Sequence, residues 1–266
     1  MRTRTLVFTI LVLAALLCAA GCTSTGTGQA TSTPTPVMTT TAPSSELTVF
    51  AAASLKDAFT ECGRQFEANH TGTKVVFNFD GSQVLVTQLK QGAYADIFAS
   101  ANTAQMNNSK NAGLVKNETV KLFVKNRLAI LVPAANPASI KGLQDLANPG
   151  VRLVIGTPDV PVGDYARQLL NKTGNDTSFG PSFKEKVLAN VVSEETNVNS
   201  LATKVVLGEA DAGIAYASDV PAAQRDKVTV IELPDSYQVV ANYPIGVLGQ
   251  SKHPVEAQAF VDFVLS

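Results

Sequence analysis

The 266-residue chain contains no tryptophan, two histidines and three cysteines, and only 16% of it is charged. Each shortage removes a class of protein. His70 and His253 are too few, and too far apart, for the ligand spacing of a zinc site. With 21 Lys and Arg against 22 Asp and Glu, there is no basic excess of the kind nucleic acid requires. Cys18 and Cys22 sit near the amino terminus and Cys62 stands alone beyond them, so the main part of the chain has no internal disulfide. There is no Walker phosphate loop and no Gly-x-Ser-x-Gly nucleophile elbow. Gly26 and Gly28 fall in a low-complexity stretch with no strand before them. Beyond the first twenty residues, no apolar run is long enough to cross a membrane.

What is present begins with an export pattern. Arg2 and Arg4 precede an apolar stretch, Leu6 to Ala20, which ends in Ala-Ala-Gly-Cys. A basic start, an apolar run and small residues before a cut mark a secretory signal. The run is shorter than the ~20 residues of a membrane-spanning helix. Its end resembles a lipobox, which implies cleavage of a signal at 1–22 and lipidation of Cys22. Residues 23–45 are almost all Thr, Ser, Pro, Gly and Ala, too polar to offset the entropy of ordering them, and read as a linker. The sequons at Asn69, Asn107, Asn117, Asn171 and Asn175 are expected on the surface.

From Glu46 onward, apolar strand-like runs alternate with helical periods. Leu47 to Ala53, Lys74 to Phe79 and Asp96 to Ser100 read as strands, separated by helices over Leu55 to Asn69 and Val84 to Gln91. The inward face of the first helix is expected to be Leu55, Ala58, Phe59, Cys62 and Phe66, with Cys62 a small buried hydrophobe. A second set follows: strands at Leu128–Pro133, Val151–Gly156, Asn190–Ser193 and Gly213–Tyr216, with helices over 163–171 and 198–207. Strands at Val228–Leu233 and Tyr243–Leu248 and a helix from Pro254 complete the chain. This order predicts an α/β fold with a largely parallel sheet, and the repeated unit suggests two similar lobes.

Four junctions share one grammar, in which a strand ends, a small or hydroxyl residue follows, and a helix begins. They are Ala53-Ser54-Leu55, Gly81-Ser82-Gln83, Val160-Pro161-Val162-Gly163 and Thr196-Asn197-Val198. A helix start offers unpaired N–H groups and the positive end of its dipole. Several starts meeting in one crevice at the carboxyl ends of strands would hold an anion without any Arg or Lys. The plainer role for Ser54 and Ser82 is helix capping, and Ser54 stands at capping-box spacing from Asp57.

The segments Val49-Phe-Ala-Ala-Ala-Ser-Leu-Lys-Asp-Ala-Phe, Gly81-Ser-Gln-Val-Leu, Gln91-Gly-Ala-Tyr-Ala-Asp-Ile-Phe-Ala-Ser-Ala, Val160-Pro-Val-Gly-Asp-Tyr-Ala and Gly213-Ile-Ala-Tyr-Ala-Ser-Asp occur in that order. Together they resemble the periplasmic molybdate- and tungstate-binding proteins of ABC transporters across residues 46–265. The resemblance implies a two-lobed periplasmic-binding-protein fold of type II, with two crossovers and the ligand in the interlobe cleft. It divides the chain into one lobe of residues 46–126 plus 229–266 and another of 127–228. It implies a non-enzymatic, monomeric receptor, lipid-anchored at the outer face of the cytoplasmic membrane or in the periplasm, that delivers molybdate or tungstate to a membrane permease.

Carried over motif by motif, the oxyanion-binding residues are Ser54, Ser82, the N–H groups of Val162 and Val198, and the Tyr216 hydroxyl. No cofactor and no directly liganded metal are expected. A related branch adds a carboxylate just before this tyrosine; Ala215 stands there, which implies an oxyanion held by hydrogen bonds alone. Asp80 takes a place where the family has a small uncharged residue and is expected to point outward. The resemblance also implies a carboxyl end slightly longer than Phe263-Val-Leu-Ser. The rival readings are a receptor for sulfate, phosphate, iron or an amino acid, a surface adhesion lipoprotein, and an enzyme on the same fold.

Overall fold

The computed structural model describes residues 45–220 and 222–266. The signal, Cys22 and all of the 23–45 linker except Ser45 lie outside the described residues, and Ser45 itself opens the first strand. The elements in chain order are β1 (Ser45–Ala52), a 3-10 turn (Ala53–Leu55), α1 (Lys56–Asn69), β2 (Thr73–Asp80), α2 (Ser82–Lys90), β3 (Ile97–Ala99), α3 (Thr103–Asn111) and β4 (Lys121–Pro133). There follow β5 (Leu153–Gly156), α4 (Pro161–Thr173), α5 (Phe183–Ala189), β6 (Val191–Glu195), α6 (Val198–Val206), β7 (Ala212–Tyr216), β8 (Val228–Glu232), β9 (Val240–Val247) and α7 (Pro254–Leu265). No helix among the described residues is long and apolar enough to cross a membrane.

The strands hydrogen-bond in the order β2-β1-β3-β9-β4-β7-β5-β6, with β8 also on β4. β1 lies parallel to β2 and β3, and β5 lies parallel to β6 and β7. Strand burial follows from this order. β5 and β7 are buried at every residue and read as continuous apolar runs, whereas the outermost strands β2 and β6 are partly exposed.

The two parallel groups are joined by antiparallel strands. β4 pairs with β9 over Lys121–Arg127, then with β7 and β8 over Leu128–Pro133, and β9 also pairs with β3. The sheet is therefore mixed, not largely parallel. The strand-helix-strand rhythm carries only the parallel groups, because the antiparallel partners lie far apart in sequence, as Ile97 and Val247 do. β8 pairs with the Leu128–Pro133 end of β4, so residues 229–232 sit with the second parallel group instead of the first.

Three elements carry no strong periodic signal. α3 buries only Met106 and Ser109 and is started by Asn102, whose side chain accepts from the Gln105 N–H at 2.8 Å. α5 is seven residues long, and the Lys121–Arg127 part of β4 is largely exposed. On α1 the inward face is Phe59, Gly63 and Phe66, while Ala58 is exposed and Cys62 only half-buried. A 3-10 turn precedes α1, which starts at Lys56. Phe59 and Phe66 meet Phe260 of α7 edge-on, with centroids 6.1 and 5.2 Å apart, which ties the last helix to the first. All five sequon asparagines are exposed.

One close approach sets the start of α4. A Cβ at Gly163 would lie 2.0 Å from the Thr157 carbonyl oxygen and 2.4 Å from that of Gly156. Both are backbone atoms and cannot swing aside. Helix propensity alone would favour Ala at this position by about 1 kcal/mol. Gly163→Ala is instead expected to destabilise the protein by about 1–3 kcal/mol through overpacking, read as a fall of several degrees in thermal unfolding. An unchanged or raised melting temperature would contradict this account of the junction.

Candidate functional site

The four strand-to-helix junctions converge. β1 ends at Ala52 before the turn that holds Ser54, and β2 ends at Asp80 before Gly81 and α2. β5 ends at Gly156 ahead of α4, and β6 at Glu195 ahead of α6. Tyr216 is the last residue of β7. Ser54, Ser82, Val162, Val198 and Tyr216 all line one small cavity of about 10 Å³, and all but Ser54 are buried. The rest of the wall is Ala52, Ala53, Gly81, Ala101, Val160 and Pro161, so no charged side chain lines it.

The helix starts place backbone donors here for a simple reason. The first N–H groups of a helix have no intrahelical acceptor. Pro161 opens α4 and has no N–H, so Val162 carries the first one of that helix; Val198 is the first residue of α6. The positive ends of α2, α4 and α6 thus face a common space, favourable to negative charge.

Neither serine caps its helix. The residues in the cap positions, Leu55 for α1 and Gly81 for α2, make no side-chain cap bond, so the Ser54–Asp57 capping box does not form. The Ser54 hydroxyl instead lies 2.9 Å from that of Tyr243. The Ser82 hydroxyl accepts from the Ala101 N–H at 3.0 Å, which leaves its own proton free to donate.

Tyr216 is fully buried, and its hydroxyl has no close hydrogen bond, only a weak interaction with that of Tyr243. The neighbouring Tyr243 hydroxyl is engaged by Ser54 and, at 3.4 Å, by the Asn126 amide. Burial holds both phenols well above their ordinary pKa, so each keeps its proton.

Other residues shape the surroundings. Asp80 does not line the cavity, yet it does not run out to solvent: its Oδ1 accepts from the Gly81 N–H at 2.7 Å and from the Asn197 amide at 3.3 Å. Tyr243, Asn126 and Asp219 have no counterpart among the sequence-derived candidates. Asp219 closes the Gly213-Ile-Ala-Tyr-Ala-Ser-Asp segment, and its Oδ2 accepts from the Tyr216 N–H at 2.8 Å. Its Oδ1 is buried without a partner. Burial, opposed by the Tyr216 bond, raises its pKa from 3.8 to about 7. A polar pocket of about 270 Å³ adjoins the site, lined by Ser54, Lys56, Asn199, Thr203 and Asp219 among others. No group of three or more His, Cys, Asp or Glu among the described residues could hold a metal ion.

Helix starts and a buried tyrosine gathered at the carboxyl ends of two parallel strand groups, tied by crossing antiparallel strands, define a solute receptor of the type II periplasmic-binding fold. Solved structures share that architecture. The periplasmic molybdate-binding protein of Azotobacter vinelandii matches with a TM-score of 0.70 at 21% identity, over 83% of this chain and 93% of its own. The sulfate-binding protein SubI of Mycobacterium tuberculosis matches with a TM-score of 0.72 at 21% identity, over 84% and 82%. At that identity each supports the fold and no more.

The chain belongs to the family of bacterial extracellular solute-binding proteins, whose pattern matches residues 47–266. That is a binding family, not an enzyme family. The molybdate-binding protein ModA of Mycobacterium tuberculosis is 41% identical over 224 residues, 84% of this chain and 80% of the relative.

The Asp219 carboxyl makes stability depend on pH with a definite sign. Between pH 3.8 and about 7 the folded state holds this proton and the unfolded chain does not. Stability therefore falls as pH rises through that window and levels off above it. Asp219→Asn keeps an acceptor for the Tyr216 N–H but cannot ionise. The parent-minus-variant difference in urea unfolding free energy is expected to fall by a few kcal/mol, in order of magnitude, from pH 4 to pH 7.5. A difference independent of pH would rule out this titration.

Proposed function

We propose that this protein captures molybdate, or its close analogue tungstate, in the cavity lined by Ser54, Ser82, Val162, Val198 and Tyr216, and delivers it to the membrane permease of an ABC importer. The two lobes are residues 46–126 together with the chain after β8, and the segment from 127 through β8. They act as the jaws of the cleft, and the protein works as a monomer. The observation that carries the reading is the Tyr216 hydroxyl, a fully buried donor without a close hydrogen bond in a cavity built from helix starts. The 41% identity to a molybdate-binding protein supports the choice of anion.

The chemistry of the donors fits a fully ionised oxyanion. Every oxygen of molybdate accepts and none donates, and the cavity offers hydroxyls and N–H groups. A protonated phosphate would bring a hydroxyl that needs an acceptor, and leaving one unpaired in a dry site costs about 1–3 kcal/mol. Sulfate is fully ionised but smaller and cannot reach every donor at good length. A space of about 10 Å³ holds about one water molecule, so a tetrahedral oxyanion enters only when the walls move apart.

Calorimetry against molybdate, tungstate, sulfate and phosphate tests the reading. Ser54→Ala and Ser82→Ala are each expected to weaken molybdate binding by roughly 1.5–3 kcal/mol, as for hydrogen bonds to a charged group. Val162→Ala and Val198→Ala leave the backbone donors in place and should bind nearly as the parent does. Tyr216→Phe should act in opposite directions on two measurements. It weakens molybdate binding, and it raises the stability of the protein without anion by up to about 1 kcal/mol, because a poorly paired buried hydroxyl is removed. Equal binding of all four anions, or parental molybdate affinity in both serine variants, would defeat the assignment.

Cys22 is proposed as the lipid attachment site, which places the protein at the outer face of the cytoplasmic membrane. Two acyl chains are expected, since one alone binds only marginally. In cell fractionation, Cys22→Ser should appear in the soluble fraction or remain unprocessed. Membrane retention of a processed Cys22→Ser protein would contradict lipid anchoring.

A further inference from the structure

Three hydrogen bonds cross the cleft outside the cavity, and all reach from the first strand group to the loops ahead of α4 and α6. The Asp80 carboxylate accepts from the Asn197 amide at 3.3 Å. The Gln83 amide donates to the Thr196 carbonyl at 2.8 Å, and the Gln105 amide to the Asp159 carbonyl at 3.2 Å. None of Asp80, Gln83, Gln105 or Asn197 lines the cavity.

Between them the two backbones come very close, for a Cβ at Gly81 would lie 2.2 Å from the Thr196 oxygen. The other flank differs. There Lys56 and Asp57 share the 270 Å³ pocket with Asn199 and Thr203, and no hydrogen bond joins these pairs.

We propose that Asp80, Gln83 and Gln105 form a one-sided latch that holds the cleft shut over the cavity and governs how fast a bound oxyanion leaves. They are positioning residues: they touch the facing loops, not the ligand. The Asp80 acceptor is itself held in place by the Gly81 N–H, at 2.7 Å, and sits between the starts of α2 and α6, where negative charge is favoured. Asn197 meanwhile caps α6, its Oδ1 accepting from the Ser200 N–H at 3.0 Å. Its amide is therefore presented to Asp80 in a fixed orientation. Because the latch bonds are made with the walls together, they must break before the ligand can pass. They slow release without adding a contact to the anion. This inference rests on the proposed function.

The test compares two substitutions at one position. Asp80→Asn and Asp80→Ala remove the same charge, but only Asn keeps an acceptor for Asn197. In stopped-flow release, molybdate should leave Asp80→Ala about two- to tenfold faster than Asp80→Asn, the range for one hydrogen bond. The neutral double variant Gln83→Ala/Gln105→Ala should release faster than the parent. Equal release rates for the two Asp80 variants, or a double variant that releases molybdate no faster than the parent, would overturn the latch while leaving the proposed function standing. If the parent bound none of the four anions, the proposed function itself would fail, and the latch with it.

Discussion

The structure depends on backbone N–H groups at helix starts that are buried before they are satisfied. A buried donor without an acceptor is costly, and α4 and α6 bring such donors to one small space, where the positive ends of their dipoles add to that of α2. A site of this kind needs no Arg or Lys, and none lines it. It does need the backbones to approach closely. That requirement explains the small residues around it: Ala52, Ala53 and Ala101 in the wall, Gly81 against Thr196, and Gly156 against Gly163. A larger side chain at these points would fill the space or push a helix start out of line.

The polar side chains complete the same scheme. Ser82 uses its lone pair on the Ala101 N–H and keeps its proton free, while Tyr243, itself held by the Asn126 amide, engages the Ser54 hydroxyl. Burial keeps the tyrosines protonated, so they remain donors. The carboxyl groups stand just outside, Asp80 bound to the Gly81 N–H and Asp219 to the Tyr216 N–H. Each thus fixes a backbone segment of the wall without lining the cavity itself.

The scaffold that holds the helix starts together is antiparallel. β4 serves both strand groups and β9 inserts between β3 and β4. A solute receptor must let its two sides move apart and come back in register. β4 alone passes from one group to the other, so the connection belongs to neither parallel ladder. The hydrogen bonds of Asp80, Gln83 and Gln105 are not made by this strand.

Local sequence was sufficient for what depends on neighbours in the chain. The runs around β1, β2, β5 and β7 are apolar enough to be read as strands, and the junction residues mark the helix starts; the family resemblance, not periodicity, put forward Ser54, Ser82, Val162, Val198 and Tyr216, which line one cavity. Composition alone excluded a nucleic-acid face and a disulfide framework. Tertiary structure decided what depends on partners distant in sequence. Nothing local to Tyr243 announces a bond to Ser54, 189 residues away, and nothing local to Ile97 announces an antiparallel partner at Val247. The exposure of Ala58 depends on which face of α1 meets Phe77 and Phe260, and the hydroxyls of Ser54 and Ser82 meet Tyr243 and Ala101 from other segments of the chain. Periodicity encodes which face is buried; it does not encode what that face is buried against, and a binding site is made of the second.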